Sequence, residues 1–448
     1  MQTSRSEIVI MNSIRTRQPE RRRRSGSTLL MSIAANGFGV VIAQAISLVS
    51  MAFVGRWYSP SDLGVLGMTV GAVAILSPIA TMTYANAICV ARNEADSLNL
   101  ARLAFIGTLT VTVIGIVTSF LFFINGIDGW INAVMGTLLL FSTATLGIIT
   151  QTTFRKRFIR LRSVALIGSA LTVAGLRIIG GIASPSGIML IGAVVVGNVS
   201  AGFIMASRYP GILAGRFLRG VRRRSLFRTA RRYQDFPYYT APHSLLRYGI
   251  LAYPPLALGW LADEHVAGQY TLAASVISGP ILMIADALGD AVTRPFAQAL
   301  DKDQATAVAA VRRLTVQASI LAAIPVLLLW AASSFLFSTV FGPAWSDAAQ
   351  FAKWLALWGG AMLASRPLMC LIPVVGLQQA LLRVEIITAV LRIVFFTVAL
   401  LFFNSPLLAI IVFSVLGLLQ SITMSFKVFD RLSMLGDRTI YRKDRAAS

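Results

Sequence analysis

From about residue 28 to residue 428 the chain alternates between long apolar runs and short polar breaks. Each run reaches or exceeds the roughly 20 residues that a helix needs to cross about 30 Å of hydrocarbon. The pattern predicts spans near 28–54, 63–88, 103–125, 130–153, 164–183 and 187–206, and again near 240–261, 268–289, 314–337, 349–375, 384–403 and 406–428. A polar stretch, 207–239, divides them six and six. The expected architecture is therefore an all-α polytopic membrane protein of about 12 transmembrane helices, in two six-helix bundles around a central cavity. Its domains are a disordered basic cytoplasmic tail (1–27), an N-terminal bundle (28–206), a basic cytoplasmic linker (207–239), a C-terminal bundle (240–428) and a cytoplasmic tail (429–448). Helices are required because a spanning helix satisfies its own backbone groups in lipid. The alternating segments of about 10 residues that build a membrane β-barrel are absent.

Charge adds the sidedness. Of the 40 Lys and Arg, only Arg56 falls in an external loop, and Arg177, Arg247, Lys353, Arg366 and Arg392 fall inside spans. The rest flank the span ends on the side of both termini, the side that stays cytoplasmic during insertion. This implies a bacterial inner membrane protein with both ends inside. The net charge of +22 would suit a nucleic acid. Spread over loops that flank spans, it is instead explained by insertion and by anionic headgroups, so membrane lipids are the expected contact and nucleic acid is not. The composition agrees: 56% hydrophobic, 13% charged, mean hydropathy +0.73. The apolar stretch after Arg21–Arg24 is nearly twice the length of a signal-peptide core, so it is expected to stay as the first span. Cys89 and Cys370 have no metal-ligand spacing and are expected to be structural thiols.

The halves carry a trace of repetition. Gly55 and Gly64 near the first external turn match Gly259 and Gly268 at a common offset of 204 residues, and each pair is followed by a span with a mid-helix proline, Pro78 or Pro280. With six spans per half, such repeats are parallel. The paired prolines Pro254 and Pro255 in span 7, and Pro367 and Pro373 in span 10, are expected bending points, because proline removes a helical hydrogen bond.

Signals for catalysis are nearly absent. There is no phosphate loop, and His243 and His265 are too few and too far apart for zinc, so no cofactor is expected. Asp301 and Asp303, astride Lys302, have the form of a metal-nucleotide pair but stand alone in a short loop, where a solvated charge is the simpler explanation. The intramembrane cations are sharper, since one at mid-bilayer costs about 2.5–3.5 kcal/mol. Lys353 and Arg177 lie close enough to span ends to snorkel. Arg247, Arg366 and Arg392 lie seven or more residues from a span end, roughly 10 Å deep. Thr240, His243, Ser244 and Arg247 form a polar stripe on span 7, with a weaker counterpart through Ser32, Asn36, Ala43, Gln44 and Ser47 on span 1. No deep acid matches these arginines one for one. A cavity lined by Arg247, Arg366, Arg392, Arg177 and His243 would suit phosphate, which the guanidinium fork binds well. Structural pairing with backbone carbonyls is an equal alternative for any single arginine. Asp286 is the acid taken to lie within a span and is the candidate for proton coupling, or else a partner for an inner-end cation such as Arg294.

Three stretches resemble a known family. Val54-Gly55-Arg56-Trp57-Tyr58-Ser59-Pro60-Ser61-Asp62-Leu63-Gly64 is similar to a first external turn. Tyr233-Gln234-Asp235-Phe236-Pro237-Tyr238-Tyr239 leads into span 7. Gly268-Gln269-Tyr270 opens span 8, with a related Phe341-Gly342-Pro343-Ala344-Trp345 further on. Together they resemble Wzx-type polysaccharide-biosynthesis flippases of the multidrug/oligosaccharidyl-lipid/polysaccharide exporter superfamily. The resemblance implies alternating-access transport of an undecaprenyl-diphosphate-linked oligosaccharide from the cytoplasmic to the periplasmic leaflet, for exopolysaccharide, capsule or O-antigen synthesis. A polysaccharide polymerase and chain-length machinery would be the candidate partners. Two other classes compete. An ion-coupled multidrug or cation extruder of the same superfamily should hold a buried carboxylate in spans 1–6, and none lies well inside. A polysaccharide polymerase or ligase, an enzyme, should carry a large external loop, and none here exceeds about a dozen residues.

Overall fold

Among the described residues, twelve long helices follow one another in the order of the apolar runs. The computed structural model describes residues 39–126, 129–207, 222–300 and 304–447, with the side chains of 159, 282–283, 286–300, 304–307, 373–374 and 433–447 outside that description. The first half is α1 (Gly39–Trp57), α2 (Pro60–Ala80), α3 (Glu94–Ile124), α4 (Trp130–Arg155), α5 (Ile159–Ala183) and α6 (Gly187–Ser207). A linker helix, α7 (Arg223–Arg232), precedes α8 (Ala241–Leu261), α9 (Glu264–Leu300), α10 (Gln304–Val340), α11 (Ser346–Met369), α12 (Gln378–Leu401) and α13 (Pro406–Ala447). Among the described residues, nine of these are long and apolar enough to cross a membrane. The chain is an all-α polytopic membrane protein built of two six-helix bundles.

Several spans differ from their sequence outlines, each for a local reason. The run expected at 63–88 starts earlier, at Pro60, and breaks after Ala80. Ser59 caps α2: its hydroxyl accepts from the Asp62 N–H while the Asp62 carboxylate accepts from the Ser59 N–H. At the other end Met82 and Thr83 take positive φ, and the chain restarts as the short helix Tyr84–Ala87. The run expected at 349–375 ends at Met369, just past Pro367, and restarts as Ile372–Val375 with Pro373 in its first turn. Proline has no N–H to continue a helix but is tolerated at its start. The other proline helix, α8, stays continuous through Pro254 and Pro255. α3, α9, α10 and α13 extend well beyond their apolar runs, because polar residues continue a helix outside lipid.

The two halves use the same packing scheme. α3 packs on α4, α5 on α6, α4 on α6 and α2 on α4; in the second half α10 packs on α11, α12 on α13, α11 on α13 and α9 on α11. Between halves, α2 packs on both α8 and α9, and α1 reaches α9 where Gln44 lies against Gly279. The contact of α2 with α9 is reciprocal. A Cβ on Gly64 would lie 1.9 Å from the Glu264 carbonyl oxygen, and one on Gly268 would lie 1.7 Å from that of Pro60. Pro60 and Glu264, like Gly64 and Gly268, stand 204 residues apart. The second helices of both halves thus cross backbone to backbone about a local two-fold axis. Lipid tails are as apolar as leucine, so close approach through small residues holds such helices together where the hydrophobic effect does not.

The linker helix is fastened to the first half. Arg232 of α7 pairs with Asp96 of α3 at 3.0 Å, and Asn99 donates to Ser225 and Thr229 at 3.0 and 3.2 Å. The Arg92 N–H donates to the Tyr233 hydroxyl, and Thr83 donates to the Phe236 carbonyl. Residues Phe236–Thr240 then form a π-helical turn that feeds α8. Such wide turns accommodate an extra residue and recur at functional places in helices.

Candidate functional site

One end of the seam between halves is sealed. The Trp345 indole N–H donates to the Gly55 carbonyl at 2.7 Å, and the Arg56 guanidinium donates to the carbonyls of Val340 and Thr339. Gln269, almost wholly buried, donates to the Ala344 carbonyl and accepts from the Ala348 N–H. A single apolar cluster containing Tyr58, Leu63, Leu258, Tyr270, Phe341 and Trp345 runs across this end. The first and third of the sequence stretches singled out above therefore meet in space. The Tyr58 hydroxyl donates to the Arg177 carbonyl, and burial pushes its pKa above the usual phenol value, so it stays a donor.

Towards the opposite end the polar stripe of α8 comes into view. Arg247 and His243 are exposed, and no hydrogen bond or ion pair to Arg247 exists among the described residues. His243 Nε2 lies 3.8 Å from Glu385 Oε2 of α12, with both side chains partly open to solvent. Arg247 lies one turn on from His243, on a different face from Ala252, Leu256 and Gly259, through which α8 touches α2. The cationic stripe therefore turns toward α12, a helix of the same half. Glu385 was missed by the sequence reasoning, which took Asp286 as the acid within a span. It stands near the start of the span expected at 384–403. The Asp286 side chain lies outside the described residues.

The other arginines are placed differently from the expected cavity lining. Arg392 is only 3% exposed and lies inside the second bundle. Its guanidinium stacks over the rings of Trp358 (α11) and Phe413 (α13), each centroid 4.8 Å away, and Gly417 leaves the room for it. A cation held between aromatic faces is an internal packing element. This corrects the expectation that Arg392 faces the space between halves: its neighbours are all of the second half. Arg366 Nε donates to the Ala285 carbonyl of α9 at 3.2 Å, the structural pairing weighed above. Arg177 is half-buried in α5 with its Nε lacking a hydrogen-bond partner. Sequence depth alone singled out Arg247, Arg366 and Arg392. Only packing separates the stacked Arg392 and the carbonyl-bound Arg366 from the open Arg247.

The carboxylates of α1–α6 all sit in first turns. Asp62 is engaged by Ser59, Glu94 by Arg155 and Lys156, and Asp96 by Arg232. Among the described residues no three His, Cys, Asp or Glu side chains gather closely enough to hold a metal ion.

No protein-family model matches the chain, and no curated protein matches its sequence. Solved structures do match its shape. An inward-facing multidrug resistance MATE family transporter of the MOP superfamily covers 88% of this chain and 96% of its own, with a TM-score of 0.64 at 15% identity. The lipid II flippase MurJ, in an inward closed conformation, covers 92% and 91%, with a TM-score of 0.66 at 9% identity. An outward-facing MATE family structure covers 91% and 96%, with a TM-score of 0.56 at 14% identity. The chain has the fold of the MATE and MurJ transporters. At such low identity this is a likeness of fold, and the substrate has to be argued from the residues.

Proposed function

We propose that this chain is a flippase that carries an undecaprenyl-diphosphate-linked oligosaccharide from the cytoplasmic to the periplasmic leaflet by alternating access. The observation that supports it most is the contrast in charge between α8 and the first half. α8 offers an open guanidinium, Arg247, with His243 one turn away, whereas every carboxylate of α1–α6 is at a helix end and already engaged. A cation carried through a low-dielectric path needs a countercharge, and a diphosphate needs the reverse. Among the described residues the first half provides no free carboxylate for a cationic drug, which disfavours the multidrug alternative. The diphosphate would meet Arg247 and His243 on α8, where a lipid headgroup can enter sideways while its chain stays in the bilayer. Release would follow when the sealed end opens and the other closes. Glu385 would hold His243 until the cargo arrives, then give it up to the phosphate.

The test is rescue of polysaccharide export in a strain lacking its own flippase, with membrane levels checked by blotting. Arg247→Ala should lose a charge-assisted contact worth roughly 1.5–3 kcal/mol, which weakens binding about tenfold to a hundredfold. Arg247→Lys keeps the charge without the fork and should rescue in part. Full rescue by the Ala variant at normal expression would remove Arg247 from the transport path.

A further inference from the structure

The outer face of α7 has no use in the transport cycle proposed above. The helix packs on α3 through Ser225, Thr229 and Ala230, and turns Arg223, Arg224, Phe227, Arg228 and Arg231 outward. None of these four arginines is paired with a carboxylate among the described residues; the acid that α7 does engage, Asp96, is taken by Arg232. Phe227 stands among them at 75% exposure, an apolar ring inside a ring of charge. Beside it a cavity of about 610 Å³ opens between α7, Tyr84 and the π-helical turn, with Arg231 and Gln234 as its polar walls and Phe227, Pro237 and Tyr238 as its apolar ones.

Depth decides what such a face meets. α7 is anchored to Asp96 and Asn99, seven and four residues before Leu103, where the apolar run of α3 begins. At 1.5 Å per residue this is roughly 6–10 Å outside the hydrocarbon. The headgroup layer occupies about the first 5–8 Å on each side. The face therefore lies at the outer part of the headgroup layer, within a side chain's reach of the lipid phosphates. A guanidinium next to an aromatic cleft at that level matches a lipid phosphate with the first part of its acyl chain.

We infer that α7 and the adjoining cleft form a binding site for an anionic phospholipid, with Arg228 and Arg231 on the phosphate and Phe227 against the chain. The site is separate from Arg247 and holds whether the cargo is a lipid-linked sugar or a drug. Because α7 is fastened to the first half and leads through the π-helical turn into α8, an occupied site would also brace the join between halves.

The test uses the full-length protein in an uncharged detergent, titrated with dioctanoyl-phosphatidylglycerol, dioctanoyl-phosphatidylcholine or inorganic phosphate, with bound ligand counted by native mass spectrometry. Each guanidinium near an anionic surface contributes about fivefold in affinity. Phosphatidylglycerol should bind about thirtyfold tighter than phosphatidylcholine. The double variant Arg228→Gln/Arg231→Gln should lose about thirtyfold for phosphatidylglycerol and nothing for phosphatidylcholine. Phe227→Ala should weaken both lipids, which share the chain it touches, and leave inorganic phosphate unchanged. Equal binding of the two lipids would overturn the proposal, as would a double variant that binds like the parent. Free phosphate binding as tightly as the lipid would also overturn it, since the site would then recognise an anion and no chain; an acidic protein would be the better partner for such a surface.

Discussion

Adding one methyl group at Gly268 should unseal one end of the seam. The Cβ of Gly268→Ala would sit 1.7 Å from the Pro60 carbonyl oxygen, where ordinary contact begins near 3.4 Å, so α2 and α9 must separate by roughly 1.5 Å or more. Both neighbours are backbone, and no rotamer change can relieve the clash. Overpacking of this kind costs about 1–3 kcal/mol. The cost falls only on the state in which the helices touch, so the sealed-to-open ratio should shift about fivefold to 150-fold. Gly64→Ala meets Glu264 in the mirror-related contact and should act in the same direction. Gly249→Ala, which meets nothing within 4 Å, is the control. The assay is the labelling rate of Ala267→Cys, buried in the sealed cluster, by a membrane-impermeant maleimide with Cys89 and Cys370 replaced. Labelling should accelerate by the same factor in both seam variants and remain unchanged in the control. Seam variants that express normally and label at the parental rate would refute the reciprocal glycine contact as the seal.

Arg392→Met and Arg392→Lys should both lower the melting temperature of the solubilised protein, because neither restores the planar stack between Trp358 and Phe413; a loss of about 1–3 kcal/mol is expected from two cation–π contacts and their packing. An unchanged melting temperature would show that the stack contributes nothing. Asp96→Ala should loosen α7, since it strips the partner from Arg232, itself nearly half exposed, and from Thr229. After discounting for solvent the expected loss is about 1 kcal/mol, read as roughly fivefold faster thiol labelling at Ser225→Cys. Tyr58→Phe removes one hydroxyl-to-carbonyl bond to Arg177 and should cost about 0.5–1.5 kcal/mol in the same melting assay.

The order of helices was legible because each apolar run is long and bounded by polar turns, and lipid leaves no other way to bury a backbone. The repeat showed through Gly55, Gly64, Gly259 and Gly268, positions where close approach leaves no room for a side chain. Helix ends were less legible. The break after Ala80 depends on positive φ at Met82 and Thr83, and nothing in those two residue types announces it. The linker helix α7 was hidden by its arginines, which read as charge before they read as helix, although its inward face of Ser225, Thr229 and Ala230 recurs at helical spacing. For the site, sequence depth identified the right residue type and could not sort its members. Arg392 and Arg247 look alike along the chain; one is stacked between rings of its own bundle and the other is open. Glu385 was passed over because its meaning comes from His243, more than a hundred residues away and 3.8 Å distant.

The most direct measurement of function is transport by the purified chain in proteoliposomes. Undecaprenyl-diphosphate-linked oligosaccharide would be loaded in one leaflet and scored by a lectin or glycosidase added to the other side. A cationic dye would be followed in parallel vesicles. The parent protein should move the lipid-linked sugar and leave the dye gradient unchanged, and Arg247→Ala should slow the sugar lipid about tenfold to a hundredfold. Dye efflux without sugar-lipid movement would contradict the flippase assignment and leave the chain as a multidrug exporter on the same fold.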